Sequence, residues 1–219
     1  MRMRWSVFLA LAILSTLVPR GAGSPSPAPP LSPGTTWTYR YTIARASEAP
    51  QTGTFKIVFG GPTAFRGATY YYMDQSGTLE PGVVERAYLA WTRGTFRQVA
   101  SVASDAQNNL LEILFDKSVP TGPTQEVLAG SAQVFENGTL QGKVPWRAVA
   151  SRQGPVNVTV PAGTFRAMRW SIEFTLGQVR QVSSIHTVGF ADVRIDTKIF
   201  TSGSAAGSIL RELVSGPVR

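Results

Sequence analysis

The sequence predicts a mainly β protein: a strongly curved antiparallel sheet, or half-barrel, of about ten to twelve strands with little helix. Three observations predict it. Apolar and polar side chains alternate with a period of two along most of the chain, which gives each strand one buried face. The alternating runs are short and end at hairpin-type turns. Aromatic residues gather on one phase of that alternation, which favours a sheet curled over an apolar interior.

The chain divides into three parts. Residues 1–23 read as a signal peptide, with Arg2 and Arg4 ahead of an apolar run over residues 7–18 and the small residues Gly21, Ala22 and Gly23 at the expected cleavage point. That run is about a dozen residues long, short of the roughly 20 a spanning helix needs. Residues 24–33, SPSPAPPLSP, read as an extended Pro-rich linker. Residues 34–219 read as a single β-rich domain. The expected location is therefore outside the cytoplasm, periplasmic or extracellular. With no cysteine in the chain, a lipid anchor on cysteine and disulfides are both excluded, so the core must hold the fold.

The domain opens with Trp37, Tyr39, Tyr41 and Ile43 alternating against Thr38, Arg40 and Thr42. Phe55, Ile57 and Phe59 make a second strand, which Gly60-Gly61-Pro62 is expected to close. Tyr70-Tyr71-Tyr72 then puts Tyr71 on the face opposite to its two neighbours. Residues 83–92 carry Ala87, Leu89 and Trp91 on one face, Arg93-Gly94 turns into a strand over 95–103, residues 109–115 form a short strand, and 116–123 read as loop. Asn137-Gly138 suits a type I′ hairpin pairing Phe135 with Leu140. A strand over 139–151 follows, with Pro145 confined to an edge or a bulge.

Residues 156–176, VNVTVPAGTFRAMRWSIEFTL, contain a strand, the turn Val160-Pro161-Ala162-Gly163 and a longer strand. In that longer strand Phe165 and Ala167 are odd-numbered, whereas Met168, Trp170, Ile172, Phe174 and Leu176 are even. The break in phase predicts a β-bulge at Ala167 and Met168 that bends the sheet. Gly177-Gln178 suits a type II′ turn, which sets Arg169 against His186. Strands over 188–200 and 208–215 are expected to bracket a flexible 202–208 segment.

Two stretches carry a resemblance. Trp37-Thr38-Tyr39-Arg40-Tyr41 shortly after Pro33-Gly34, and Val158-Thr159-Val160-Pro161-Ala162-Gly163-Thr164-Phe165 downstream, resemble a group of exported bacterial proteins of unknown function that combine a G-x-x-W-x-Y opening with a V-x-V-P-A-G-T-F hairpin. The resemblance implies an antiparallel half-barrel similar to the bacterial lipoprotein carriers and their lipid-binding relatives, and it brings no catalytic residues with it. This chain departs from the group's pattern after Thr187, where it reads Val188-Gly189-Phe190-Ala191-Asp192-Val193-Arg194 in place of a tyrosine-rich segment.

Composition narrows the function. Without residues 1–23 the net charge falls from +8 to +5, because Arg2, Arg4 and Arg20 leave 18 Lys plus Arg against 13 Asp plus Glu. The arginines are scattered, which argues against nucleic acid as a partner and allows peripheral contact with an anionic membrane surface. Thiolate chemistry is closed, and His186 is the only histidine. It reads as a rim residue beside Arg169, not as a base. Asp74, Glu85, Glu112, Asp192 and Asp196 show no spacing that separates them from solvated strand faces. No phosphate loop is present, and no metal or cofactor is implied.

The expectation is a non-enzymatic envelope protein that binds or carries an apolar ligand, a lipid or acyl chain, on the concave face. The ligand-contacting set is Trp37, Tyr39, Tyr41, Phe55, Phe59, Trp91, Trp170 and Phe174. The alternative is an assembly or protein-interaction module with a filled core, whose partner is an envelope protein held at an exposed sheet edge or by Tyr70 and Tyr72.

Overall fold

The structure, a computed structural model, describes residues 31–45, 48–77, 82–92, 95–120 and 127–218. The expected signal peptide, residues 24–30 of the linker and the Arg93-Gly94 turn lie outside the described residues. Within them the chain is an antiparallel meander of twelve strands: β1 (Thr36–Arg45), β2 (Gln51–Phe65), β3 (Ala68–Gly77), β4 (Val84–Thr92), β5 (Thr95–Ser104), β6 (Leu110–Pro120), β7 (Val127–Glu136), β8 (Thr139–Val160), β9 (Gly163–Leu176), β10 (Val179–Val188), β11 (Ala191–Thr201) and β12 (Ser204–Ser215). Each pairs with its sequence neighbours, and β1 pairs with β12 from Thr38↔Ser215 to Arg45↔Gly207. The curved sheet expected from sequence thus goes one step further and closes. Among the described residues closure leaves no edge strand in the barrel wall, and only the part of β8 and β9 that runs beyond β7 and β10 keeps free edges.

The two-residue periodicity is visible in burial. Trp37, Tyr39, Tyr41 and Ile43 of β1 and Phe55, Ile57 and Phe59 of β2 are all buried on the inner face. Arginines 40, 86, 147, 169 and 180 lie on the outer one, interleaved with buried residues along their strands. An apolar inside and a charged outside invert the pattern of a membrane-spanning barrel, whose lipid-facing side is apolar.

Turn chemistry sets the register. Asn137 and Gly138 both have positive φ (49° and 78°), as type I′ requires, and Phe135 pairs with Leu140. Gly177 has φ 56° and Arg169 faces His186. Ser202 and Gly203 (φ 51° and 84°) make a further tight hairpin, with Thr201 opposite Ser204. The expected flexible 202–208 segment is therefore mostly strand.

Other boundaries differ for local reasons. β2 does not stop at Gly60-Gly61-Pro62: it runs to Phe65 through an irregularity between Gly60 and Thr63, and turns at Arg66-Gly67. Gly60 is used for close approach, since a Cβ there would fall inside the Tyr72 ring. Asp116 to Pro120, expected as loop, extends β6: the register against β5 shifts by three residues between Leu114, opposite Ala100, and Val119, opposite Gln98, and the ladder then resumes. The segments 139–151 and 156–160 form one 22-residue strand, with Pro145 opposite Ser131 of β7 just short of the β9 ladder, which begins at Trp146.

The predicted bulge at Ala167 and Met168 is not where the irregularity lies. β9 pairs with β10 without interruption from Met168 to Leu176, and the register shifts on β8, between Arg152 and Gly154. β9 accommodates its change of phase differently: Trp170, Ile172 and Phe174 face the interior, while beyond the end of β10 the β8–β9 ribbon continues alone and buries its other face through Val158, Val160 and Ala167. A two-stranded ribbon twists more strongly than a sheet, which turns that face inward.

Candidate functional site

The inner face of the barrel is the candidate site. Strands of odd number begin at one end, termed here the mouth, where β1 starts and the β8–β9 ribbon projects. The ribbon lies over it: Ala162 N–H donates to the Leu213 carbonyl at 3.0 Å, at a point where β12 has run past its pairing with β11. Val158, Val160 and Ala167 join one continuous cluster with Trp37, Phe59, Phe96, Val193 and Leu213. The tip of the β8–β9 ribbon therefore packs against the mouth end of the core.

All eight residues expected to contact a ligand have inward strand positions, but they do not form one group. Trp37, Tyr39, Tyr41, Phe55 and Phe59 belong to one cluster that runs from Trp37 and Leu213 at the mouth to Ile43, Ile199 and Ile209 toward the other end, and Trp91 packs against it. Tyr39 stacks on Phe55 at 5.0 Å between centroids, Tyr41 meets Phe55 edge-on, and Phe59 packs edge-on to Phe96 at 5.3 Å. Trp37 Nε1 donates to the Pro217 carbonyl. Leu31, from the end of the expected linker, packs against the same cluster. Trp170 sits elsewhere with Ile172, Ile185 and Ile195, and Phe174 in a third group with Ala103, Ile113 and Trp146.

Between these groups lies a feature the sequence reading missed. Arg211 of β12 is buried, paired across the ladder with Tyr41, and its guanidinium lies 5.3 Å from the Phe55 ring centroid. Burial pushes its pKa down, and the nearby Glu85, Asp192, Tyr39 and Tyr41 oppose that shift. Burial, then Asp192, raises the Tyr39 hydroxyl well above its ordinary value, while Arg211 works the other way. Glu85 and Asp192, read from sequence as solvated strand residues, are 7% and 3% exposed. The signal was present in the alternation: Arg211 shares its phase with Ile209 and Leu213, and Glu85 shares its phase with Ala87, Leu89 and Trp91.

The outer face behaves conventionally. Arg86 forms a two-pronged ion pair with Asp74 (2.6 and 2.7 Å) and lies over Tyr72, and Arg180 reaches Glu173 at 3.0 Å. His186 is half-buried on this face, and burial, with the charges of Arg169 and Arg194 adding to it against an opposing hydrogen bond with the Arg194 backbone, lowers its pKa. Tyr71 turns inward onto Phe59 and Phe96, while Tyr70 and Tyr72 stay half-buried on the outside. At one seam the wall is held by a side chain. β6 and β7 pair only from Leu111↔Glu136 to Phe115↔Ala132, and beyond that Asp116 accepts from Ser131 N–H (2.8 Å), Ser131 Oγ (3.1 Å) and Trp146 Nε1 (3.2 Å). Among the described residues no group of three His, Cys, Asp or Glu is placed to hold a metal ion.

No protein-family description matches the chain, and no curated protein matches it significantly. Two solved structures align over 85% of this chain and 96% of their own, each at 10% identity. One is described as a "putative lipoprotein" from Parabacteroides distasonis (TM-score 0.40), and the other as a "putative exported protein with YmcC-like fold" from Bacteroides fragilis (TM-score 0.41).

Proposed function

We propose that the protein is an exported, non-enzymatic component of the cell envelope whose barrel takes an apolar ligand, a lipid or acyl chain, on its inner face. The reading includes removal of residues 1–23 and contact of the chain with Trp37, Tyr39, Tyr41, Phe55, Phe59, Trp91, Trp170 and Phe174. One observation carries it: a closed barrel of twelve strands turns its aromatic face inward. Eight strands already enclose an interior that side chains just fill or that admits one small ligand, and twelve enclose more. Part of this lining is nevertheless small, with Ala87, Ala103, Ala132, Ala148 and Ser183 at inward positions. Such an interior is suited to a ligand that is mostly hydrocarbon.

The assembly-module alternative has less support, because the closed wall leaves strand edges only along the β8–β9 ribbon.

Tryptophan quenching tests the proposal. Trp37, Trp91, Trp146 and Trp170 all occupy inward positions, so a bromine-bearing acyl chain that enters the barrel quenches their emission saturably, and the unbrominated chain reverses it by competition. Emission unchanged up to the solubility limit of the probe would remove the ligand reading.

A further inference from the structure

The aromatic lining accounts for the mouth; another part of the inner face is polar. Among the described residues, inward positions carry buried polar atoms without a hydrogen-bond partner at Gln75 Oε1, Ser101 Oγ, Trp170 Nε1, Gln181 Nε2 and, near the end of β11, Thr201 Oγ1. Ser101 and Gln181 are each 3% exposed. Folded proteins rarely leave such atoms unbonded, because the lost hydration is not returned.

Gln75 and Ser101 stand on one wall, and Gln181 on the wall that faces it across the barrel. Gln75 stands opposite Glu85 on β3 and β4, Glu85 stands opposite Ala103 on β5, and Ser101 follows two residues back along the same face. Phe174 on β9 packs in the same cluster as Ala103, and Gln181 is the ladder partner of Phe174. The Gln75 amide is oriented by its Nε2, which donates to Glu85 at 3.0 Å and leaves Oε1 as the acceptor without a partner. Glu85 in turn lies within electrostatic reach of Arg211.

We propose that Gln75 and Ser101, on the wall that carries Glu85, and Gln181, on the wall opposite, form a polar subsite at the end of the interior away from the mouth for the uncharged hydroxyl or amide end of an amphiphile. This rests on the reading that the barrel holds an apolar chain, and it specifies which chains. Gln75 Oε1 accepts, Gln181 Nε2 donates and Ser101 Oγ does either, so the complementary group both gives and takes hydrogen bonds. A hydroxyl or primary amide does this. A carboxylate only accepts, and it would set a third acid beside Glu85 and Asp192 against the single buried Arg211. An ammonium only donates, which leaves Gln181 Nε2 unmet.

Titration calorimetry of the purified protein with 1-monolaurin, laurate and dodecylamine, each below its micellar concentration, tests the subsite at constant chain length. The expected result is monolaurin binding about tenfold more tightly than either charged probe. Ser101→Ala and Gln181→Leu, each checked for an intact thermal transition, should weaken monolaurin binding most and so shrink that preference to about threefold or less. Equal affinity for the three probes, a preference for either charged one, or a monolaurin preference that survives in both folded variants would overturn the subsite and leave the apolar-chain reading standing. A protein that binds none of the three contradicts the apolar-chain reading and the subsite with it.

Discussion

The two parts of the barrel interior obey different rules. Near the mouth, Phe59, Phe96, Leu213 and Val193 are fully buried and packed on one another, and the β8–β9 ribbon adds Val158 and Val160 from above. Away from it, Ser101 and Gln181 are as deeply buried, yet each has a polar atom without a partner. A region maintained only for stability would be packed like the first throughout, since an unpaired buried polar group costs about 1–3 kcal/mol. The contrast separates a part of the inner face that is closely packed from a part that keeps unpaired polar atoms, to which the proposed polar subsite is assigned.

The strongest way to break the comparison is to damage the packed part. Phe59→Ala should cost about 3–5 kcal/mol in urea unfolding, since the ring is fully enclosed between Tyr71 and Phe96. A loss under about 1 kcal/mol would mean that the mouth is not a packed core. Arg211→Met should cost a similar amount, about 3–5 kcal/mol, by leaving Glu85 and Asp192 without their buried cation. A stabilised variant would show instead that the charges only oppose folding.

Next in size is the ribbon: Val160→Ala should cost about 2 kcal/mol, from two lost methyl groups and an imperfectly refilled space. The polar part should respond with the opposite sign. Ser101→Ala or Gln181→Leu should leave stability unchanged or raise it by about 1 kcal/mol, since each removes an unsatisfied atom. A loss of 2 kcal/mol or more in either variant would place these residues among the structural ones.

The smallest expected effect is a pH dependence. Burial lowers the His186 pKa in the folded state, so the unfolded chain binds the proton more readily. The stability linked to this residue is present above the unfolded value of about 6.5 and declines as pH falls from there toward the lower folded value. His186→Gln should flatten that part of the stability profile by a few tenths of a kcal/mol, a small amount because the ring is only half-buried. An unchanged slope would assign the dependence to other groups.

The architecture was largely readable in the alternation and the turns. Asn137-Gly138 and Gly177-Gln178 fixed two registers that the structure reproduces residue for residue. Closure was not readable, because pairing of β1 with β12 joins residues about 170 positions apart and no local pattern encodes it. The misplaced bulge has a related cause. The phase change at Ala167 and Met168 is a real property of β9, but whether a strand answers it by bulging or by burying each face in turn depends on where β10 ends, which lies outside that strand. For the inner face, the inward placement of the aromatic residues was readable because they are large and in phase. Arg211, Glu85 and Gln181 were passed over because polar residues in strands are ordinarily solvated, and only a closed sheet makes their phase decisive.

The central claim is that the inner face of this barrel holds an apolar ligand. Native mass spectrometry of the protein purified under gentle conditions from its own cell envelope tests it most directly. The account predicts a population heavier than the processed chain by the mass of one lipid or acyl compound, released on activation and lost after delipidation. A single species at the mass of the bare processed chain, unchanged when the protein is incubated with envelope lipids, would contradict it.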